Sequence, residues 1–273
     1  MNPNHITIIG GGNLGVAIAE GLIASKYIAP ANLTITRRQI EKLDHLAAKG
    51  VITSDNNSKS CLRGNLIILA VKPYQIKEIL EEIKPVLDPN KHVLASVVTG
   101  VTLEDMQSVI GSDVSVFRVM PNTAIAIRES MTCIATNNAD QESQQSILEL
   151  FKQLGDAIMI DEGLMSASTV LGACGIAYTM RFIRAAIQGG IEIGFSSEVS
   201  QQIAVQTVKG AASLLMETGN HPEQEIDRVT TPKGCTIAGL NEMEHQGFSS
   251  SLIKGIKISH GKISGIAEEF ERK

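Results

Sequence analysis

The rhythm of apolar and polar positions changes near residue 161. Upstream, short apolar runs recur: Ile6-Thr7-Ile8-Ile9, Leu33-Thr34-Ile35-Thr36, Leu66 to Val71, His92 to Val98, Val114 to Val119, Thr132 to Ala135 and Ala157 to Ile160. The first is followed by a helical spacing through Val16, Ile18, Leu22 and Ile23, the second by Ile40, Leu43 and Leu46. Near-continuous β-branched runs alternating with helices predict a mostly parallel sheet covered on both faces. Downstream, strand-like runs give way to helical stretches over 163–193, 197–217 and 234–272, the last broken near Gly247. Gly189-Gly190, Gly194 and Gly219-Asn220-His221-Pro222 punctuate them. The expectation is an α/β domain over 1–160 and an all-helical domain over 161–273.

Gly163 to Met180 carries no charge. Ser166, Ser168, Thr169, Gly172 and Gly175 dilute it, and Arg181 and Arg184 continue the pattern, so it reads as a buried helix rather than a membrane span. At 273 residues, and with about 150 residues per domain as the usual measure, two domains are expected. Its 19% charged and 43% hydrophobic residues are ordinary for a globular protein. A net charge of −5 without a basic run argues against a nucleic-acid binder. Three Tyr, six Phe and no Trp leave little for recognition by ring stacking. The four cysteines (Cys61, Cys133, Cys174, Cys235) form no CxxC and no metal-ligand spacing with His, so free cytosolic thiols are expected. Met1 to His5 has neither the basic nor the apolar region of a signal peptide, which points to the cytoplasm.

Gly10-Gly11-Gly12-Asn13-Leu14-Gly15 is a G-x-G-x-x-G placed after a strand and opening a helix. The first glycine suits the tight turn, the second lets backbone approach a pyrophosphate, and the third allows close helix–sheet packing. Phosphates would then face unpaired helix N–H groups. Gly10, Gly12, Asn13, Leu14 and Gly15 are therefore candidate cofactor residues of a Rossmann-like domain, with a plain turn as the alternative. An NAD site expects an acid about 20 residues past the loop. Here the second run ends Thr36-Arg37-Arg38. The arginines can neutralise a 2′-phosphate and Thr36 can hydrogen-bond it, which favours NADPH, with NADH as the alternative.

Three further segments complete a pattern: Ala70-Val71-Lys72-Pro73, Arg118-Val119-Met120-Pro121-Asn122-Thr123, and Val229-Thr230-Thr231-Pro232-Lys233-Gly234-Cys235-Thr236-Ile237-Ala238-Gly239-Leu240. With the glycine loop they make the whole chain resemble the pyrroline-5-carboxylate reductase family. The R-x-M-P-N-T and V-T-x-P-x-G-x-T segments are the specific parts. The resemblance implies NAD(P)H-dependent hydride transfer to a cyclic imine, reducing 1-pyrroline-5-carboxylate to L-proline in the last step of proline biosynthesis. It also implies an interlocked homodimer formed by the helical domain, and a decamer built from such dimers. By the same resemblance Asn57 lies near the adenosine part of the cofactor. Ala70, Val71, Lys72 and Pro73 pass beside the cofactor, and Met120, Pro121 and Asn122 face the nicotinamide. Val229, Thr230, Thr231, Gly234, Cys235 and Thr236 hold the substrate carboxylate.

Two segments depart from the family pattern. Gly-Ser-Gly-Pro-Ala-Tyr stands here as Ala173-Cys174-Gly175-Ile176-Ala177-Tyr178, and Pro-Gly-Gly-Thr-Thr as Pro232-Lys233-Gly234-Cys235-Thr236. The second change adds a cation beside the carboxylate loop.

The residues themselves suit that chemistry. Gly234-Cys235-Thr236 precedes Ile237, Leu240 and Met243 at helical spacing, so it opens a helix whose first turn would stabilise a carboxylate by ~0.3–1 kcal/mol. Capping of that helix by Thr230 and Thr231 is the alternative role. Reduction of a protonated imine is a matter of orientation, and no catalytic dyad stands out. Thr236 is the catalytic candidate, its hydroxyl bonding the imine nitrogen or the carboxylate. The scattered histidines read as surface or structural residues, and Lys72, before Pro73, as a turn residue. A β-hydroxyacid dehydrogenase needs a lysine base on the long inter-domain helix, and Gly163 to Gly190 contains none. A reductase of a six-membered cyclic imine and a non-catalytic NADP-binding scaffold stay open. A helical half of about 110 residues with an uncharged first helix has apolar surface that is hard to bury alone, which predicts self-association.

Overall fold

The computed structural model describes residues 3–271, with side chains to residue 263. Its described residues form two compact units, one running to Cys174 and resuming at His260, the other Gly175–Ser259. The first unit holds an eight-stranded sheet in the order β3-β2-β1-β4-β5-β6-β7-β8. The strands are β1 Ile6–Ile9, β2 Leu33–Thr36, β3 Ile52–Ser54, β4 Leu66–Leu69, β5 Val93–Ser96, β6 Ser115–Met120, β7 Ser130–Ala135 and β8 Gly155–Met159. Only the β6–β7 pair is antiparallel; Ile6 pairs with Leu33 on one side and Leu66 on the other in parallel register.

Helices cover both faces: α1 Asn13–Ala24, α2 Asp44–Ala47, α3 Asn57–Cys61, α4 Ile76–Ile83, α5 Leu103–Ile110 and α6 Gln141–Lys152. Alternation along the strands divides the core. Ile6, Ile8, Leu66 and Ile68 pack with Ile18 and Leu22 of α1 and with Phe151 of α6. Ile9, Ile67 and Leu69 point the other way, onto Ile76, Leu80 and Ile83 of α4 and Met106 of α5. Each of these fully buried side chains contributes roughly 1.5–3 kcal/mol of transfer free energy. The strand order reverses between β1 and β4, and the crevice at the carboxyl ends of such strands is where doubly wound sheets bind ligands.

Beyond β8, a turn at Glu162–Leu164 leads to α7 Met165–Ser168 and a π-helical turn, Thr169–Cys174. The sequence suggests one continuous helix from residue 163. That helix runs unbroken over Glu162–Glu192 with the π-helical turn inside it, where the Ser168 and Thr169 hydroxyls both donate to the Met165 carbonyl at 2.8 Å, a back-bonding that bends a helix. Met165 packs with Met120 and Ala135, which fixes this segment to the sheet.

The second unit contains α8 Gly175–Glu192, α9 Ser197–Thr218, α10 Pro222–Val229, α11 Cys235–His245 and the first half of α12 Phe248–Glu271. Gly190 lets α8 approach Ser200 of α9, whose hydroxyl donates to the Ile187 carbonyl at 2.8 Å. Phe182 meets Phe248 edge to face at 6.2 Å, and the Tyr178 and Ser259 hydroxyls are 2.6 Å apart.

The expectation of a buried helix here is not met within one chain. No residue of α8 is buried, and the stretch Glu162–Glu192 is long and apolar enough to cross a membrane by length and composition. Two layers of helix cannot enclose it, and Met180 stays 62% and Met216 81% exposed.

Candidate functional site

A cavity of about 870 Å³ lies at the carboxyl ends of β1, β2 and β4. Gly10, Gly12, Asn13, Leu14, Thr36, Arg37, Arg38, Asn57, Ala70, Val71, Lys72 and Pro73, twelve residues that the sequence nominates, line it together. Gly10 takes φ +109, and a Cβ there would lie 2.5 Å from the Ala70 carbonyl oxygen. Gly15 is outside the lining; its missing Cβ lets α1 sit on the Gly10 carbonyl. At Gly12, by contrast, a Cβ would meet nothing within 4 Å. Gly12 is also the N-cap of α1, without a side-chain cap and with no acid in the first turn. The N–H groups there are open to an anion, and the cradle fits a dinucleotide pyrophosphate.

The corner past β2 is polar. The Thr36 carbonyl accepts from the Gly10 and Gly11 N–H groups at 3.2 and 2.7 Å, tying strand end to loop. The Thr36 hydroxyl donates to Asn57 Oδ1 at 2.7 Å, and Asn57 Nδ2 donates to Glu82 at 2.8 Å. Arg37 Nη1 donates to the Gly11 carbonyl at 2.6 Å, and Arg38 lies 3.8 Å from Glu78. Two guanidinium groups flank a strand end that carries no acid, a setting that accommodates a ribose 2′-phosphate.

Gly11, Gln39, Asp55, Gln75, Ile79 and Val97 to Thr99 also line the cavity and were not nominated from sequence. Val97, Val98 and Thr99 follow β5, next to β4 beside the switch point, so strand order would have found them. Gln75 accepts from the Lys72 N–H at 3.2 Å, and Lys72 precedes the Pro73 turn as the sequence suggests.

Met120, Pro121 and Asn122 are buried at the end of β6 and lie outside this cavity. Asn122 is held at three atoms: its N–H donates to Ser130 Oγ, Oδ1 accepts from the Ala124 N–H, and Nδ2 donates to the Gly172 carbonyl of the π-helical turn. Arg118 on the same strand pairs with Glu162 at 3.0 Å, and Glu162 also accepts from the Leu103 N–H at 2.7 Å.

In the second unit, Val229 to Thr236 run from the end of α10 into α11. The Thr230 hydroxyl donates to the Ile226 carbonyl at 2.7 Å. Gly234 is the N-cap of α11, which has neither a side-chain cap nor an acid in its first turn. Thr230 and Thr231 therefore do not cap the helix, and the N–H groups around Cys235 and Thr236 remain open to an anion. Thr231 to Gly234 form a turn closed by Gly234 N–H to Thr231 O at 2.9 Å, with Lys233 at φ +61. Cys235 is exposed there, whereas burial pushes the Cys61 thiol up to about 12, leaving it inert.

A family model for pyrroline-5-carboxylate reductase dimerisation matches residues 162–265, and one described as NADP oxidoreductase, coenzyme F420-dependent, matches residues 5–100. Pyrroline-5-carboxylate reductase 1 of Dictyostelium discoideum is 44% identical over 97% of this chain, and the chain spans 50% of that relative's length. Pyrroline-5-carboxylate reductase 2 of the same organism is 42% identical over 96% of this chain and 93% of its own. Among solved structures, Plasmodium falciparum pyrroline carboxylate reductase with NADP bound is 25% identical, with a TM-score of 0.87 over 96% of this chain and 98% of that one.

Proposed function

The chain belongs to the pyrroline-5-carboxylate reductase family, and from that premise we propose that it reduces 1-pyrroline-5-carboxylate to L-proline with NADPH. The observation that carries the reading is a pair of helix N-termini, α1 behind Gly12 and α11 behind Gly234, both left uncapped by side chains. One suits a pyrophosphate, the other a small carboxylate.

NADPH, when bound, supplies the hydride. Gly10, Gly12, Asn13 and Leu14 hold the pyrophosphate, while Arg37 and Arg38 receive the 2′-phosphate with Thr36 and Asn57 beside them. Ala70, Val71, Lys72 and Pro73 form the wall next to the coenzyme, and Met120, Pro121 and Asn122 shape the nicotinamide side. Thr230, Thr231, Gly234 and Cys235 orient the substrate carboxylate, with Val229 at the loop's entry. The Thr236 hydroxyl bonds the imine nitrogen or the carboxylate, so the ring presents one carbon to the donor. A protonated imine is already electrophilic, and orientation supplies most of the remaining acceleration.

The chain self-associates through its helical half, which the dimerisation family model covers. We read the finer arrangement as an interlocked homodimer, further assembled into a decamer, in the cytoplasm. The apolar face of α8 and α9 then meets a second copy rather than lipid, and the 161–273 segment acts as the dimerisation and substrate domain.

Mixing the purified protein with NADPH and 1-pyrroline-5-carboxylate should oxidise the coenzyme and yield proline. No turnover with this imine or its six-membered homologue would overturn the reading.

A further inference from the structure

We propose that Glu82 sets the coenzyme preference of this enzyme through Asn57, an inference that rests on the NADPH reading of the cavity. The carboxylate of Glu82 can only accept, and Asn57 Nδ2 donates to it at 2.8 Å. That fixes the amide: Oδ1 must face Thr36. The Thr36 hydroxyl has a single hydrogen and commits it to that oxygen at 2.7 Å. What Thr36 has left for the cavity it lines is lone pairs alone.

A ribose 2′-hydroxyl can donate to those lone pairs. A 2′-phosphate dianion has no hydrogen to give and meets them as one acceptor meeting another. The relay therefore opposes the two arginines beside it, keeping NADH usable at a site that Arg37 and Arg38 bias toward NADPH. Glu82 does not line the cavity and comes from α4 rather than from β2, where an NAD site carries its acid. Its own main chain is anchored, since the Ser58 hydroxyl donates to the Glu82 carbonyl at 2.9 Å. Glu82 is thus a positioning residue, held in register with α3 and acting at one remove from the ribose.

A glutamine at this position can accept as the carboxylate does or donate through its amide, and a bound 2′-phosphate selects the second polarity. Its amide can donate to Asn57 Oδ1, Asn57 Nδ2 then donates to Thr36, and the Thr36 hydrogen is released toward the phosphate. The test is Glu82→Gln against Glu81→Gln, an exposed neighbour on the same helix that removes equal charge without touching the relay. Steady-state constants with NADPH and NADH, and coenzyme dissociation constants from fluorescence titration, are compared with the unmodified protein. Glu82→Gln should raise the NADPH-over-NADH ratio of kcat/KM by about tenfold or more, the effect of gaining one hydrogen bond to a charged group. The change should sit in KM for NADPH with kcat preserved, and Glu81→Gln should leave the ratio within about twofold. An unchanged ratio in Glu82→Gln, or an equal shift in Glu81→Gln, would overturn the relay. Unmodified protein binding neither coenzyme would overturn the dinucleotide reading itself, whereas binding of both with an unmoved ratio removes the relay alone.

Discussion

Arg37 Nη1 donates to the Gly11 carbonyl oxygen at 2.6 Å, so a cation at the ribose corner is also a strut of the phosphate loop. Arg38 has no such second duty: its partner is Glu78 at 3.8 Å, and both side chains are more than 70% exposed, at 77% and 72%.

The two arginines should consequently fail in different ways. Arg38→Ala should weaken NADPH by about tenfold or more, as for one charge-assisted contact, and leave NADH nearly unchanged. Arg37→Ala should weaken both coenzymes, because it also releases the loop. Titrating each variant with both coenzymes checks this, and an Arg38→Ala variant that loses both equally would refute the assignment.

Thr236 tests the other end of the reaction. Thr236→Ala should lower kcat/KM for the imine by about 10- to 100-fold, the range for a hydrogen bond to a charged group, with coenzyme affinity unaltered. Parallel loss of coenzyme binding would show that the substrate loop has been assigned to the wrong ligand.

Lys233 occupies a turn position, closed by the Thr231–Gly234 bond, whose φ of +61 favours glycine. A non-glycine residue pays ~1–2 kcal/mol there, partly offset by the greater freedom glycine has when unfolded. Lys233→Gly should be more stable than Lys233→Ala by about 0.5–1 kcal/mol in urea unfolding. Both should raise KM for the imine alike, because both remove the cation. Equal KM values in all three proteins would mean that the charge does not serve the carboxylate.

Much of this was legible in the chain because its signals are local. Seven of the eight strands coincide with apolar runs, and the glycine loop is a contiguous motif. β3 escaped notice: three residues at a sheet edge, Ile52–Ser54, leave no room for a pattern. Helix α10 also escaped, although Pro222 at its first turn, Glu223 and Glu225 near its start and Arg228 near its end mark it. The lining from Val97 to Thr99 needs strand order, and the Glu82–Asn57–Thr36 chain joins three elements, so neither could be read from adjacency in sequence. The exposure of α8 was missed because a run of apolar residues says that a surface must be covered and not by which chain.

Acid should destabilise the fold partly through His92. Burial, with Lys91 adding to it, holds its imidazole below the ordinary 6.5, and Nδ1 accepts from the Asp88 N–H at 2.8 Å, which only the neutral ring can do. An unfolded chain takes up a proton near 6.5 that the folded one resists. The contribution to stability is therefore complete above that value and is lost as pH falls below it. His92→Gln keeps an acceptor without the titration, so its stability should fall less between about pH 7 and 5 than that of the unmodified protein. Some acid sensitivity remains, because burial lowers His5 in the same direction. Identical acid limbs in denaturant titrations would remove His92 from the account.

The helical half should be unable to stand alone. Val199 and Ile203 lie one turn apart on α9, 43% and 47% exposed, and Phe182 on α8 is 41% exposed. Covering each such side chain is worth roughly 1.5–3 kcal/mol, and a few of them suffice to hold two copies together. Ile203→Glu places a charge on that face, and an unpaired charge is costly to bury. Light scattering should show the unmodified protein as a dimer or larger, and Ile203→Glu should dissociate at a protein concentration at least about tenfold higher. A monomeric unmodified protein would contradict self-association outright. An Ile203→Glu assembly as tight as the original would instead place the contact on another face of the helices.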